Sequence, residues 1–201
     1  MLFTKNQVKI LKLFTANITK RFSIRKVAKL INVDYSHVYK SIKPLIKEGF
    51  LDEDEEQYLR LDYRANHQLL AYIESLRALD FLKRKDNSIV ELFFHEVLNE
   101  IDTDFFVFII FGSAVDQKKR SDVDVLLVVD NAEKVDFTEK MAFRVAENYS
   151  EKFHIGVISF ESVYEMLGKR DELNVMNETL NKHVILYGAE AYYRMVKNAR
   201  R

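Results

Sequence analysis

The chain has 201 residues, equal numbers of acidic and basic side chains, 48% hydrophobic residues and no cysteine. That length allows one domain or two small ones with real cores, and the missing cysteine excludes disulfides and thiolate metal sites. No apolar run approaches the ~20 residues that a membrane span needs, and the lysine-studded N-terminus lacks an apolar signal core, so a cytoplasmic protein without membrane contact is expected.

The zero net charge hides an asymmetry. Residues 1–51 hold 11 Lys and Arg against 2 Asp and Glu, a balance of +9, and residues 52–201 carry the compensating −9. A basic module joined to an acidic one is a common layout for nucleic-acid binding beside a second function. In the basic module, 5–16 reads as a helix with Val8, Leu11 and either Leu13 or Phe14 on one face. Ser23 is a good N-cap for a short helix with Val27, Leu30 and Ile31 inward, and Asp34 can cap a third helix carrying Val38, Ile42 and Leu45. Pro44, the single proline of the chain, predicts a kink or an early end of that helix. Gly49 closes it as a left-handed cap, and the segments 50–51 and 58–61 then pair around the acidic run 52–56.

Three helices, a tight turn before the third and a terminal hairpin resemble a winged helix-turn-helix domain. The resemblance implies that helix 3 lies in the major groove of duplex DNA and offers Tyr35, Ser36, His37, Tyr39, Lys40 and Lys43 to it. Lys20, Arg21, Arg25 and Lys26 would contact phosphates. The acidic hairpin tip, repelled by phosphate, is expected to stay out of the duplex. A winged helix used for protein contact is the alternative, because fold does not fix function.

Residues 62–84 read as a connecting helix whose apolar stripe, Leu69, Tyr72, Ile73, Leu76 and Leu79, could pack on either neighbour or mediate a homodimer. Ser88 then caps a helix with Val90, Phe93, Phe94 and Val97 inward. The expected divisions are 1–63, a linker helix over 64–86, and 87–201.

The most informative stretch is 105–130. An apolar run of buried-strand length, 105–111, breaks at Gly112-Ser113, and a polar loop with Lys118, Lys119 and Arg120 follows. Ser121 and Asp122 then precede a second apolar run, 123–129, which carries Asp124 near its start. Strand side chains alternate, so Asp122 and Asp124 share a face about 7 Å apart along the strand. Like charges on one face repel unless a cation lies between them, and carboxylates suit hard cations such as magnesium that bring phosphates and water with them. A glycine after a strand lets backbone approach a ligand closely, and a serine beside it can hold a phosphate.

Strand, Gly-Ser, loop, Ser-Asp-x-Asp, strand resembles the signature of the DNA polymerase β-type nucleotidyltransferase superfamily, in its minimal branch. The resemblance covers roughly the second half of the chain. It implies that Gly112 and Ser113, with Lys118, Lys119 and Ser121 nearby, contact a nucleoside triphosphate, and that Asp122 and Asp124 are catalytic and hold Mg²⁺ (or Mn²⁺). The loop 114–121 is shorter than is usual in the family. The family's third acid, on a later strand, falls on Gly156 when that strand is aligned through the segment following it, with His154 one pleat earlier and Glu151 and Glu161 flanking. The elements left are a helix over 135–152, a strand over 153–159, helices at 161–168 and 172–182, a strand over 183–187 and a final helix. The fold class expected is α+β with a small mixed sheet.

Two functions are open on these residues. One is metal-dependent transfer of a nucleoside monophosphate from a triphosphate to an acceptor hydroxyl, coupled to DNA binding. The other is a DNA-binding regulator whose transferase-like part binds nucleotide or mediates assembly without turnover.

Overall fold

The computed structural model describes residues 3–200 apart from 104, 116–120 and 171. Among the described residues, nine α-helices and two small β-sheets form a mixed α+β fold.

Helix α1 (Lys5–Thr15) opens with a reciprocal cap. Thr4 Oγ1 accepts from the Gln7 N–H at 3.3 Å, and Gln7 Oε1 accepts from the Thr4 N–H at 2.8 Å. Ile10, Leu11 and Phe14 are buried. Ser23 caps α2 (Ile24–Ile31) as expected, accepting from the Lys26 N–H. Phe22 and Ser23 also form a two-residue strand, β1, that the sequence pattern did not reveal. In α2, Val27 is buried and Ile31 packs against the core as expected, but Ala28 is buried in place of Leu30, which is exposed.

Helix α3 (Tyr35–Lys47) buries Val38, Ile42 and Leu45, as the spacing required. Asp34 stands at its N-cap position without a side-chain capping bond. Pro44 lies inside the helix and does not end it early: the helix runs to Lys47. The missing donor deprives only the carbonyl one turn back, on Lys40, an exposed residue within reach of water. The end is a Schellman motif. Gly49 has φ +71°, its N–H donates to Ile46 O at 3.0 Å, and the Phe50 N–H donates to Leu45 O at 2.8 Å. Strands β2 (Leu51–Glu53) and β3 (Tyr58–Leu61) pair antiparallel, and β3 pairs with β1 on its other side.

Helix α4 (His67–Leu82) departs most from its sequence pattern. Leu70, Ile73, Ala78 and Phe81 are buried together with Glu74 and Arg77, while Tyr72 and Leu79 are exposed. The helix touches α1, β7 and α9 at once, so its neighbours choose the buried face, and that face includes a charged pair that an apolar stripe cannot signal.

Helix α5 (Ser88–Glu100) buries the four residues expected, with Asn87 rather than Ser88 at the N-cap position. Strands β4 (Phe106–Phe111), β5 (Val123–Val129), β6 (Phe153–Ser159) and β7 (His183–Tyr187) form one sheet in the order β6-β5-β4-β7. Only β5 and β6 run parallel, joined through α6 (Val135–Ala146), which is shorter than the helix expected over 135–152. Helices α7 (Phe160–Gly168), α8 (Val175–Thr179) and α9 (Ala189–Ala199) complete the chain; only the short α8 is helical within 172–182.

Alternation along β4 and β5 divides the core. Phe108, Ile110, Val125 and Leu127 pack with residues of α5 and α6. Val107, Ile109, Leu126 and Val128 join α7 and α9, and that same cluster continues through Ile73 to Phe14 and Ile42 of the N-terminal helices. The Ile18 N–H donates to Leu180 O at 2.9 Å and Asn181 bonds Thr19, so hydrogen bonds also tie the N-terminal unit to the C-terminal one.

Candidate metal centre

Strand pairing assembles the site. Phe111, the last residue of β4, pairs with Asp124, and Asp124 pairs with His154 on the parallel strand β6. Residues paired across strands point to the same face, so the imidazole stands beside the carboxylates. His154 Nδ1 lies 3.5 Å from Asp124 Oδ1 and 3.7 Å from Asp122 Oδ2. One donor atom from each of the three residues falls within 4.8 Å of the others.

Gly112 closes the site from the β4 side. It begins a 3₁₀ turn over Gly112–Val115 with φ +66°, and a Cβ placed on it would sit 2.3 Å from Asp124 Oδ2. Only glycine fits both the left-handed backbone and that approach. Ser113 is exposed on the turn and Ser121 is exposed just before Asp122. Lys118 and Lys119, expected beside a triphosphate, lie outside the described residues.

The third position is corrected by the sheet register. Gly156 pairs with Leu126, one pleat beyond the carboxylates, and a Cβ there would meet Leu126 Cδ1 at 3.7 Å. The structure brings His154, not Gly156, to Asp122 and Asp124. Alignment through the following segment could not find this, because register across a parallel pair depends on where both strands start.

The side chains of Asp122 and Asp124 are about a quarter exposed and that of His154 about half. Among the described residues, the ion-pair contacts of both carboxylates are with His154. A groove of about 480 Å³ runs beside the cluster, with Asp124, Phe143, His154, Gly156 and Val175 among its walls. Two carboxylates and an imidazole that converge while still open to water can share a divalent cation and leave its other positions for phosphate oxygens or water.

No protein-family model matches the chain, and no curated protein matches it. Among solved structures, the crystal structure of the Thermotoga maritima IclR is similar at a TM-score of 0.28 and 17% identity, covering 54% of this chain and 40% of that one. The chain thus spans well under half the length of that protein.

On the basic N-terminal unit, Arg25, Lys26, Tyr35, Ser36, His37, Tyr39, Lys40 and Lys43 are all exposed. Tyr35 and Tyr39 stack with centroids 6.2 Å apart, and Lys43 Nζ sits 4.6 Å from the centroid of the Tyr39 ring. Arg21, expected to meet phosphate, is exposed and also engaged by neighbouring side chains. Its Nη1 lies 3.1 Å from both Asp54 and Glu56, and its guanidinium covers the Tyr58 ring. The hydrogen bond to Asp54 and the charge of Glu56 raise its pKa. Asp54 and Glu56 of the acidic hairpin tip therefore have a cationic partner close by.

A second charged cluster escaped the sequence reading. Arg77 Nη1 donates to both carboxylate oxygens of Glu74, at 2.8 and 2.6 Å, its Nη2 donates to the His183 carbonyl, and the Tyr193 hydroxyl donates to Glu74 at 2.9 Å. Glu74, His183 and Tyr193 are fully buried. Burial alone would push the Glu74 carboxyl up, but Arg77, His183 and Tyr193 outweigh it and bring it down to about 2. Burial lowers the pKa of His183. The available signal was the Glu-x-x-Arg spacing at i, i+3 inside an otherwise apolar helix face.

Proposed function

We propose that this chain is a DNA-binding regulator that also binds a metal–nucleotide complex. The observation that carries the nucleotide part is the convergence of Asp122, Asp124 and His154 against the backbone of Gly112. The carboxylates would hold the cation, the cation would offset phosphate charge, and the 3₁₀ turn with Ser113 would present hydroxyl and backbone to the phosphates. A winged helix-turn-helix reading of residues 3–61 is supported by the Schellman-capped α3, the hairpin behind it and the exposed basic and aromatic residues along α3. On that reading α3 enters the major groove of duplex DNA, and the hairpin, whose acids pair with Arg21 and Arg60, stays outside it.

A second reading, transfer of a nucleoside monophosphate to an acceptor hydroxyl, is favoured by His154. An imidazole beside metal-binding carboxylates can take the hydroxyl proton that the missing acid would take elsewhere. The acceptor would occupy the groove beside Gly156.

Calorimetry tests the nucleotide part. Triphosphate binding should strengthen on adding Mg²⁺, and Asp124→Ala should remove that dependence. Equal affinity with and without Mg²⁺ in the unmutated chain would sink it. Incubation with α-labelled triphosphate and candidate acceptors separates the two readings, because label leaves the free pool only if transfer occurs.

A further inference from the structure

The identity of the third donor bears on which metal the site selects. This inference rests on the reading that Asp122 and Asp124 hold a cation. We infer that His154 is a direct ligand and makes this a transition-metal site, selective for Mn²⁺ or Co²⁺ over Mg²⁺.

Three observations carry it. His154 presents Nδ1 toward both carboxylates, on the strand next to theirs and in register with Asp124. Donors about 2.0–2.2 Å from one ion stand roughly 3 to 3.5 Å apart; His154 Nδ1 is already 3.5 and 3.7 Å from the two carboxylates, and with all three donor atoms within 4.8 Å of one another the carboxylates need only draw together to share the ion. Gly112, left-handed at φ +66°, lets the Asp124 carboxylate pack where any side chain would otherwise sit, which holds Oδ2 at the site.

The chemistry then discriminates among metals. Magnesium is a hard ion that takes oxygen donors and sheds water reluctantly, and it gains little from an imidazole. Manganese and cobalt accept nitrogen together with carboxylate oxygen, with affinity rising along the first-row series. A third carboxylate would add a negative charge and an oxygen, and favour the hard ion. A neutral imidazole instead leaves the protein ligands at two negative charges and supplies one nitrogen. The open positions would still receive triphosphate oxygens and water, so the same geometry serves the nucleotide reading with a different ion.

The test uses the full chain, stripped with chelator and free of nucleotide. Mn²⁺ is titrated by loss of its free-ion electron paramagnetic resonance signal, and Mg²⁺ is added as competitor. Mn²⁺ should bind at least about tenfold more tightly than Mg²⁺. Pulsed resonance of the bound ion should show nitrogen coupling, and His154→Gln should remove it. His154→Asp should keep metal binding and narrow the preference for Mn²⁺. Bound Mn²⁺ without nitrogen coupling in the unmutated chain overturns the inference, and this result does not depend on any variant folding. If coupling is absent but Mg²⁺ still strengthens triphosphate binding, the inference fails while the nucleotide reading stands. If no divalent ion binds and triphosphate affinity ignores metal, both fail.

Discussion

The protein contains two acid–histidine clusters at the same end of one sheet, and they differ in almost every physical respect. His183, Phe111, Asp124 and His154 form a single row across β7, β4, β5 and β6. At one end of the row, His183 is sealed between strands and helices beside Glu74, whose charge is matched by Arg77 and bonded by Tyr193. At the other end, His154 stands half in water next to two carboxylates, and among the described residues no Lys or Arg pairs with either of them. The same residue types therefore take opposite roles. Where burial and a guanidinium complete the charge balance, the cluster fixes α4 to β7. Where solvent remains and, among the described residues, no Lys or Arg pairs with the carboxylates, the same residue types stay open to water.

The largest expected effect breaks the buried member. Arg77→Ala leaves Glu74 buried without its cation and should cost about 3–5 kcal/mol, read as a fall in the urea midpoint. Replacing both, Glu74→Leu with Arg77→Met, should cost far less or even stabilise, because no unpaired charge is then buried.

pH sharpens the same contrast. Glu74 falls from its ordinary value to about 2 on folding, so it contributes stability above its unfolded pKa that is lost as pH drops toward 2. His183 is also lowered, and protons bind it more readily in the unfolded chain, so its contribution has the same sign and begins to fade below its ordinary value of 6.5. The urea midpoint should therefore be flat just above neutrality and decline steadily as pH falls into the acid range. A midpoint that rises on acidification would reverse the assignment.

At the open cluster, Gly112→Ala should strain a left-handed residue by about 1–2 kcal/mol and push Asp124 aside. The decisive readout is metal-dependent triphosphate affinity, which should drop by more than about tenfold, a loss of more than about 1.4 kcal/mol, with the fold retained by circular dichroism.

The smallest effects belong to the N-terminal unit. Lys40→Ala with Lys43→Ala should weaken binding to duplex DNA and lower the slope of log affinity against log salt by about one for each phosphate no longer neutralised. Asp54→Asn, which loosens the hold on Arg21, should leave the urea midpoint almost unchanged and DNA affinity equal or raised. Unchanged salt dependence in the lysine variant would mark the basic surface as an interaction face of another kind.

Much of the molecule was legible in the sequence because the deciding forces were local. The buried face of α3, the left-handed cap at Gly49, a hairpin onto 58–61 (though its first strand is Leu51–Glu53, not 50–51), and the placement of Gly112, Asp122 and Asp124 around a strand break all follow from side-chain periodicity and backbone permissiveness within a few residues. Tertiary structure decided what depended on distant partners. It chose the inward face of α4, where Glu74 and Arg77 displace Tyr72 and Leu79 because β7 and α9 supply their counterparts. It tied Arg21, which stays exposed, to hairpin acids that lie more than thirty residues away in sequence yet within 3.1 Å in space. It also set the register of β6 against β5, which the seven residues of β6 do not encode alone and which put His154 rather than Gly156 beside the carboxylates. A one-residue slip would turn every side chain of that strand to the other face, so the composition of the site is a property of the assembled sheet.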